Sequence, residues 1–427
     1  MALSANARKD DGERQVLAVK RPKYLRDFSC AGSKCIDTCC KDWHIDLSVH
    51  EFAYLRYEIE DPELKEILAS AIKEDPARKK GSETGFGYIE LDAAGKCPVL
   101  DSCGLCRLQV RAGEEALSKT CRTYPRSQIL VTGPNPEFLQ HASMSCPEVA
   151  RLVMSDPAAL DVKQVTVDTE AVRLPATVMV DGQRSTVAAR YFSEIRTSVR
   201  QLLEAHAADP SLGLFAVAMF GQALSRREGR SSAQDAAWIA ERVSVYASRE
   251  FASGFSGLRS DPSIAFSILQ AFIRLRFRNP DRVVRTYVEH LNESFRGLGF
   301  DPENEAASLA GYVRARDEFP ERMRQRPWMM RNIALAMFES SGFPTFDGLE
   351  LWSQLVGLCI RYTLLRMVLI GTAARQGGPL DPETAVRAIY AYSRVMDHNA
   401  GFIEAARNML EEKGLATPAG MAVMIRG

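Results

Sequence analysis

The sequence predicts a mainly α protein in two unlike parts: a loop-rich, cysteine-dense N-terminal domain with short strands, followed by a multi-helix C-terminal domain. Three observations carry this expectation. Nine of the ten cysteines fall between Cys30 and Cys146. Beyond residue 190, apolar residues recur at the three- and four-residue spacing of one helix face. Pro, Gly and Asp breakers separate those stripes without a repeat of fixed period, which argues against a solenoid. The expected divisions are a polar tail (1–20), a cysteine-rich domain (21–155), a strand-like linker (156–190) and a helical domain (191–427).

At 427 residues, 46% hydrophobic and 25% charged, the chain has room for two or three ordinary globular domains. Lys and Arg number 54, as do Asp and Glu, so no net field draws the whole chain to nucleic acid or an anionic membrane. Neither is an expected partner. The start, "MALSANARKDDGERQVLAVK", lacks the apolar core of a signal peptide and reads as polar and frayed, making the cytoplasm the expected location. The most apolar late stretch, "LWSQLVGLCIRYTLLRMVLIGTAA", is broken by Arg361 and Arg366. It reads as a buried helix with snorkelling or paired arginines, not as a membrane span.

Within the first part, "SVHEFAYLRYEIEDPELKEILASAIKED" reads as two helices, and "FGYIEL" and "SQILVT" as short strands. "CPEVARLVM" is a helix carrying Cys146 at its N-terminus, where the helix dipole favours a thiolate. "VKQVTVDTEAVRLPATVMVDGQ" has strand character. The first helix of the second part places Ile195, Val199, Leu202 and Leu203 on one face. Similar stripes follow in "SIAFSILQAFIRLRF", "RNIALAMFESSGF" and "TAVRAIYAYSRVM". The Asp-Pro pairs at 261, 301 and 381 look like helix starts, Asp capping and Pro in the first turn.

The cysteines form two sub-clusters. "FSCAGSKCIDTCCKDW" holds Cys30, Cys35, Cys39 and Cys40, and "CPVLDSCGLCRLQVRAGEEALSKTCRTYPR" holds Cys97, Cys103, Cys106 and Cys121; Cys146 follows. In a reducing compartment such clusters are metal ligands or catalytic thiols before they are disulfides. Thiolates suit iron–sulfur clusters and zinc, and Gly-, Ser- and Pro-rich loops let sulfurs converge. Side chains of the adjacent pair Cys39 and Cys40 diverge, so at most one faces a given metal alongside Cys35. A purely stabilising zinc knot is the plainer alternative. Cys359 reads as a buried apolar residue. His44 and His141, near cysteines, are either ligands or hydrogen-bonded structural residues. His398 is expected to pair with Arg394 across one helix turn, or to meet substrate.

The stretches "YLRDFSCAGSKCIDTCCKDWHI" at 24–45, "CPVLDSCGLC" at 97–106, "ALSKTCRTYPR" at 116–126 and "SMSCPEVARL" at 143–152 resemble the flagellin lysine-N-methylase family in order and spacing. Weaker echoes at 192–205 and 392–403 extend the resemblance over most of the chain. It implies methylation of lysines on flagellin, or another protein substrate, from S-adenosylmethionine, with an associated 4Fe–4S cluster. By position, the family pattern covers Cys30, Cys35, Cys39, Cys40, Cys97, Cys106, Cys121 and Cys146, and leaves Cys103 as an extra. One 4Fe–4S cluster needs about four thiolates, so the eight exceed a single cluster and the ligating four stay open. The cysteine pattern is also similar to a broader zinc- or iron-chelating family. The alternative function is therefore a non-enzymatic metal-cluster protein with a helical interaction domain.

"CIDTCC" gives C-x3-C followed at once by Cys40, which departs from the C-x3-C-x2-C spacing of radical enzymes using the same cofactor. A deprotonated lysine is already a nucleophile, so a polar transfer is expected. It needs a sulfonium pocket, a way to shed a proton from an amine of pKa about 10.4, and alignment of nitrogen, methyl and sulfur. No nucleotide fingerprint supplies the pocket; the G-x-G in "RGLGFDPE" and in "TGFGYIELD" reads as a turn in each case. Ring faces attract ammonium and sulfonium alike. Tyr24, Trp43, Asp46 and Tyr124, beside the cysteine loops, are the candidate lining, and packing or capping is the alternative for each.

Overall fold

The computed structural model describes residues 16–76, 85–132, 136–168, 174, 176–181, 186–227, 234–257, 261–278, 285–301, 303–345, 350–397 and 399–427. Eight strands are named in chain order: β1 Val16–Pro22, β2 Ile45–Leu47, β3 Ile72–Glu74, β4 Gly87–Ile89, β5 Arg126–Thr132, β6 Glu137–Ala142, β7 Val162–Asp168 and β8 Ala176–Asp181. Helices dominate the rest, as the periodicity predicts.

The strands make two sheets. β2, β4 and β3 form a small antiparallel sheet in which Ile45, Ile72 and Ile89 share one register row. Their buried faces, with Leu47, Phe52, Leu64 and Leu68, close a compact core of their own. The larger sheet has the order β7-β1-β6-β5-β8. Residues 16–20, at the end of the expected tail, pair with β7, and the strand character expected of the 156–190 segment takes the form of two strands that join the sheet, β8 parallel to β5. Residues 16–20 thus lie in the interior strand β1, and the two strands of the 156–190 segment form the edges of the sheet, each pairing satisfying backbone groups that would otherwise lack partners.

Local sequence explains the helix starts. Ser48 and Glu51 form a reciprocal capping box, and Asp61, Asp261 and Asp381 each cap a helix with Pro in its first turn. Position 301 differs. Asn304 caps the helix Glu305–Arg322, while the Asp301 carboxylate accepts from the Glu303 amide, and Pro302 lies outside the described residues. The stripe of Ile195, Val199, Leu202 and Leu203 is buried along the helix Phe192–Ala205.

The helix Leu351–Gln376 runs through the main core. It is long and apolar enough to cross a membrane, yet 89% of its apolar window is buried inside the protein. Arg366 reaches the Gly427 carbonyl at 2.8 Å, and Arg361 stands 3.8 Å from Asp397. The helix Arg285–Gly297 crosses it at glycines on both sides: a Cβ on Gly297 would lie 1.9 Å from the Gly371 carbonyl oxygen. The same crossing helix carries Tyr287 in its first turn.

Candidate functional site

The thiols divide by the core they pack against. Cys40, Cys97, Cys106 and Cys121 all border the core of the small sheet, whereas Cys146 borders the main helical core. The Cys97 amide donates to the Cys40 carbonyl at 2.9 Å, and Cys106 bridges back to Leu100, which ties these loops together. Burial pushes Cys97 up to about 11 and Cys121 up to about 12, with further upward pressure on Cys121 from Cys97 and Cys106. Burial also raises Cys146 to about 12, and its neighbouring thiols are Cys35 and Cys39. Cys35, itself raised by burial, feels Cys30 and Cys39. The side chains of Cys39 and Cys40 do not diverge as expected but meet, and their hydrogen bond lowers the Cys39 thiol to about 7 and raises that of Cys40.

All ten cysteines are free, Cys103 exposed and Cys359 buried. Among the described residues no three His, Cys, Asp or Glu side chains converge as a finished coordination sphere. The donor set still fits an iron–sulfur cluster or zinc in chemistry, because most of the groups that approach one another are thiols, with Asp37 near Cys35 and Cys39, Asp92 near Cys97 and Asp101 near Cys106.

Beside these loops lies a cavity of about 370 Å³ at the junction of the cysteine loops and the helical part. Trp43 and Tyr124 line one wall, their ring centroids 5.2 Å apart. The Tyr124 hydroxyl hydrogen-bonds the Ser145 hydroxyl at 3.0 Å. Burial, with Cys146 nearby, raises its pKa, so it stays a neutral phenol. Lys41, Asp42 and His44 line the same cavity from the first loop, and Arg276, Tyr287 and Arg394 from the helical part.

One carboxylate fastens the two sides. Asp37 accepts from Lys41 Nζ at 2.8 Å, from the Tyr287 hydroxyl at 2.7 Å and from Arg394. Arg394 sits in a π-helical turn, Ser393–Asp397, a geometry that recurs at functional sites. It also donates to the carbonyls of Ser145 at 3.1 Å and Thr38 at 3.3 Å, and its guanidinium lies over Tyr287 and Tyr390. Arg394 therefore joins Asp37 across the two parts; the expected partner His398 lies outside the described residues.

Of the four aromatic and acidic candidates, the structure brings Trp43 and Tyr124 together at the cavity. Tyr24 is elsewhere. It is fully enclosed in the main core, and its hydroxyl accepts from the Ala142 amide at 2.9 Å. Asp46 lies on β2, exposed, 3.2 Å from His44 Nε2. His141 is buried on β6, where burial and Arg196 lower its pKa to about 4. Sequence reasoning missed Asp37, Lys41, Arg276 and Tyr287. Asp37 had a signal, being the one acidic residue inside "CIDTCC"; Arg276 and Tyr287 read as ordinary helix residues. A smaller cavity of about 180 Å³, lined by Arg151, Arg322 and Arg326 among methionines, holds none of the residues singled out in the sequence.

A family model described as the FliB lysine N-methylase C-terminal domain matches residues 196–424. Among curated proteins, the lysine-N-methylases of Salmonella choleraesuis (strain SC-B67) and Salmonella typhimurium (strain LT2) are each 34% identical over 153 residues, 35% of this chain and 36% of the relative. The match thus spans about a third of the length of those relatives. The flagellar biosynthetic protein FliU of Salmonella muenchen is 35% identical over 146 residues, 34% of this chain and 81% of that protein. No solved structure matches.

Proposed function

Because the chain belongs to the FliB lysine N-methylase family, we propose that it methylates surface lysines of flagellin in the cytoplasm, using S-adenosylmethionine, with the cavity at Trp43 and Tyr124 as the transfer site. The observation that carries this is the cavity itself: about 370 Å³, within the size of small-molecule sites, with an aromatic wall and fixed charges in one enclosure. When bound, S-adenosylmethionine supplies an electrophilic methyl on a positively charged sulfur.

The chain's own groups do the rest. The faces of Trp43 and Tyr124 hold a cation, worth about 0.5–2 kcal/mol per favourable ring contact. The Asp42 carboxylate adds attraction for the incoming lysine ammonium. Tyr124, kept neutral and tied to Ser145, offers its ring without competing as a nucleophile. Positioning is the main contribution, since a neutral lysine nitrogen needs alignment more than activation. The lysine must first lose its proton, so the rate rises with pH through the pKa of the bound amine. Cys40, Cys97, Cys106 and Cys121 are the residues that would hold a metal or cluster against the small core, and its binding would add directly to folding free energy.

Incubating anaerobically purified protein with methyl-labelled S-adenosylmethionine and flagellin tests the proposal by mass spectrometry of the lysines. Methyl-lysine and S-adenosylhomocysteine are the expected products. Absence of transfer by protein reconstituted with iron and sulfide, and equally by zinc-loaded protein, would refute it.

A further inference from the structure

Arg276 is a buried cation with no anion of its own. It ends the helix Pro262–Arg276, lines the cavity and is 8% exposed. Its Nε donates to the Val395 carbonyl at 2.7 Å. Its terminal nitrogens make no hydrogen bond to a described residue, and no carboxylate of the described residues lies within ion-pair distance. The other buried arginine among the described residues is matched, Arg196 meeting Glu339 at 2.9 Å, and the half-buried Arg394 meets Asp37.

The guanidinium cannot shed its proton in a protein, and an unpaired buried charge is costly. The carbonyls at the end of its helix offset part of that charge, equivalent to about half an elementary charge. The remainder faces the cavity as a planar fork, whose geometry matches the two oxygens of a carboxylate. A continuous series of contacts leads from there to the aromatic wall. Arg276 holds the Val395 carbonyl, Arg394 holds the Ser145 carbonyl, Ser145 holds Tyr124, and Tyr124 lies against Trp43.

We propose that Arg276 anchors the α-carboxylate of the amino-acid arm of S-adenosylmethionine, with the sulfonium lying toward Trp43 and Tyr124. This assignment rests on the methylase function proposed above. An acidic side chain of the protein substrate would offer the same carboxylate chemistry, but the fork lies on the cavity wall and not on an exposed surface.

Calorimetric titration distinguishes these cases with two probes, S-adenosylhomocysteine and 5′-methylthioadenosine, which share the adenosine and thioether and differ in the amino-acid arm. Wild-type protein is expected to bind the first at least tenfold more tightly. Arg276→Gln should lose most of that preference while leaving methylthioadenosine affinity within twofold, and Arg276→Lys should recover part of it. In wild-type protein, S-adenosylhomocysteine but not methylthioadenosine should protect Arg276 from phenylglyoxal, a readout independent of how the variants fold. An unchanged preference in Arg276→Gln, or absence of protection, overturns the anchor while leaving the methylase function standing. So does a loss confined to binding of a glutamate-flanked lysine peptide. If wild-type protein binds neither nucleoside nor S-adenosylmethionine, the methylase function falls and the anchor with it.

Discussion

Asp37 should be the costliest side chain to neutralise at the junction, and the structure sets the order among its partners. Its carboxylate, 10% exposed, accepts from Lys41, Tyr287 and Arg394, the last 11% exposed. Asp37→Asn leaves two buried cations and a phenol around an amide, and removing one partner of a buried pair costs about 3–5 kcal/mol. Arg394→Met still leaves Asp37 held by Lys41 and Tyr287, but it strands the carbonyls of Ser145 and Thr38. We expect about 2–3 kcal/mol there, since each lost partner of a buried acceptor costs on the order of 1–3 kcal/mol and water recovers part. Lys41→Met removes only one of three donors and should cost about 1 kcal/mol. Because these bonds join the cysteine loop to the helical part, the loss should appear first as local opening. Native-state hydrogen exchange across residues 35–43 reads that free energy directly. Lys41→Met proving as costly as Asp37→Asn, or a double-mutant coupling between Asp37 and Arg394 below about 0.5 kcal/mol, would refute the reasoning.

Three further outcomes are expected. Gly371→Ala should lower the melting temperature, because its Cβ would lie 2.0 Å from the Ser294 carbonyl oxygen and overpacking costs about 1–3 kcal/mol; Gly378→Ala, facing open space, should not. Burial pushes the Asp397 carboxyl up from its ordinary 3.8 to about 6, so the fold favours its neutral form. Stability is then greatest below the unfolded value and falls as pH rises through 6, leaving a penalty of about 3 kcal/mol at neutral pH. Asp397→Asn should raise the melting temperature at pH 8 and leave it unchanged at pH 4, and a larger gain at pH 4 would contradict the assignment. Finally, Cys121→Ala should lose bound metal by elemental analysis, whereas Cys359→Ala, remote in the helical core, should retain it.

Much of this architecture was legible because it depends on local rules. The stripe from Ile195 to Leu203 had to bury one face, and Asp261 and Asp381 had to cap, whatever the rest of the chain did. The pairing of the large sheet was harder. β1 pairs with β7 across some 140 residues, and nothing local in "VLAVKRP" announces that partner. The site divides the same way. Trp43 and Tyr124 could be singled out because they neighbour cysteines in sequence, but Tyr24, with equal claim by that test, lies enclosed in the main core. Arg276 and Tyr287 carry no sequence mark; they matter because the helices bearing them end or begin at the cavity, and only tertiary packing decides that.

The cavity belongs to neither part of the chain alone. The matched C-terminal family region, 196–424, contains Arg276, Tyr287 and Arg394, while Trp43, Tyr124 and Ser145 come from the cysteine-rich part. A helical domain without the first loop would keep a cationic wall, and the cysteine loops without helices would keep an aromatic pair; neither encloses a substrate. What brings the walls together is Asp37, placed between Cys35 and Cys39, so whatever orders those cysteines also places the carboxylate that Arg394 grips. A metal held by Cys40 with Cys97, Cys106 and Cys121 would be coupled to the shape of the proposed transfer site through the short loop that carries Asp37 and Cys40. Such a coupling would be positional and would require no electron transfer. A cluster acting solely as a structural support would still change activity when removed, with Asp37 displaced and Trp43, four residues after Cys39 and bonded to its carbonyl, moving with it. Loss of activity on metal removal therefore does not by itself make the metal a chemical participant; the products do. Direct displacement yields S-adenosylhomocysteine with or without a reductant, and formation of 5′-deoxyadenosine in step with methylation would require the cluster to take part in the chemistry.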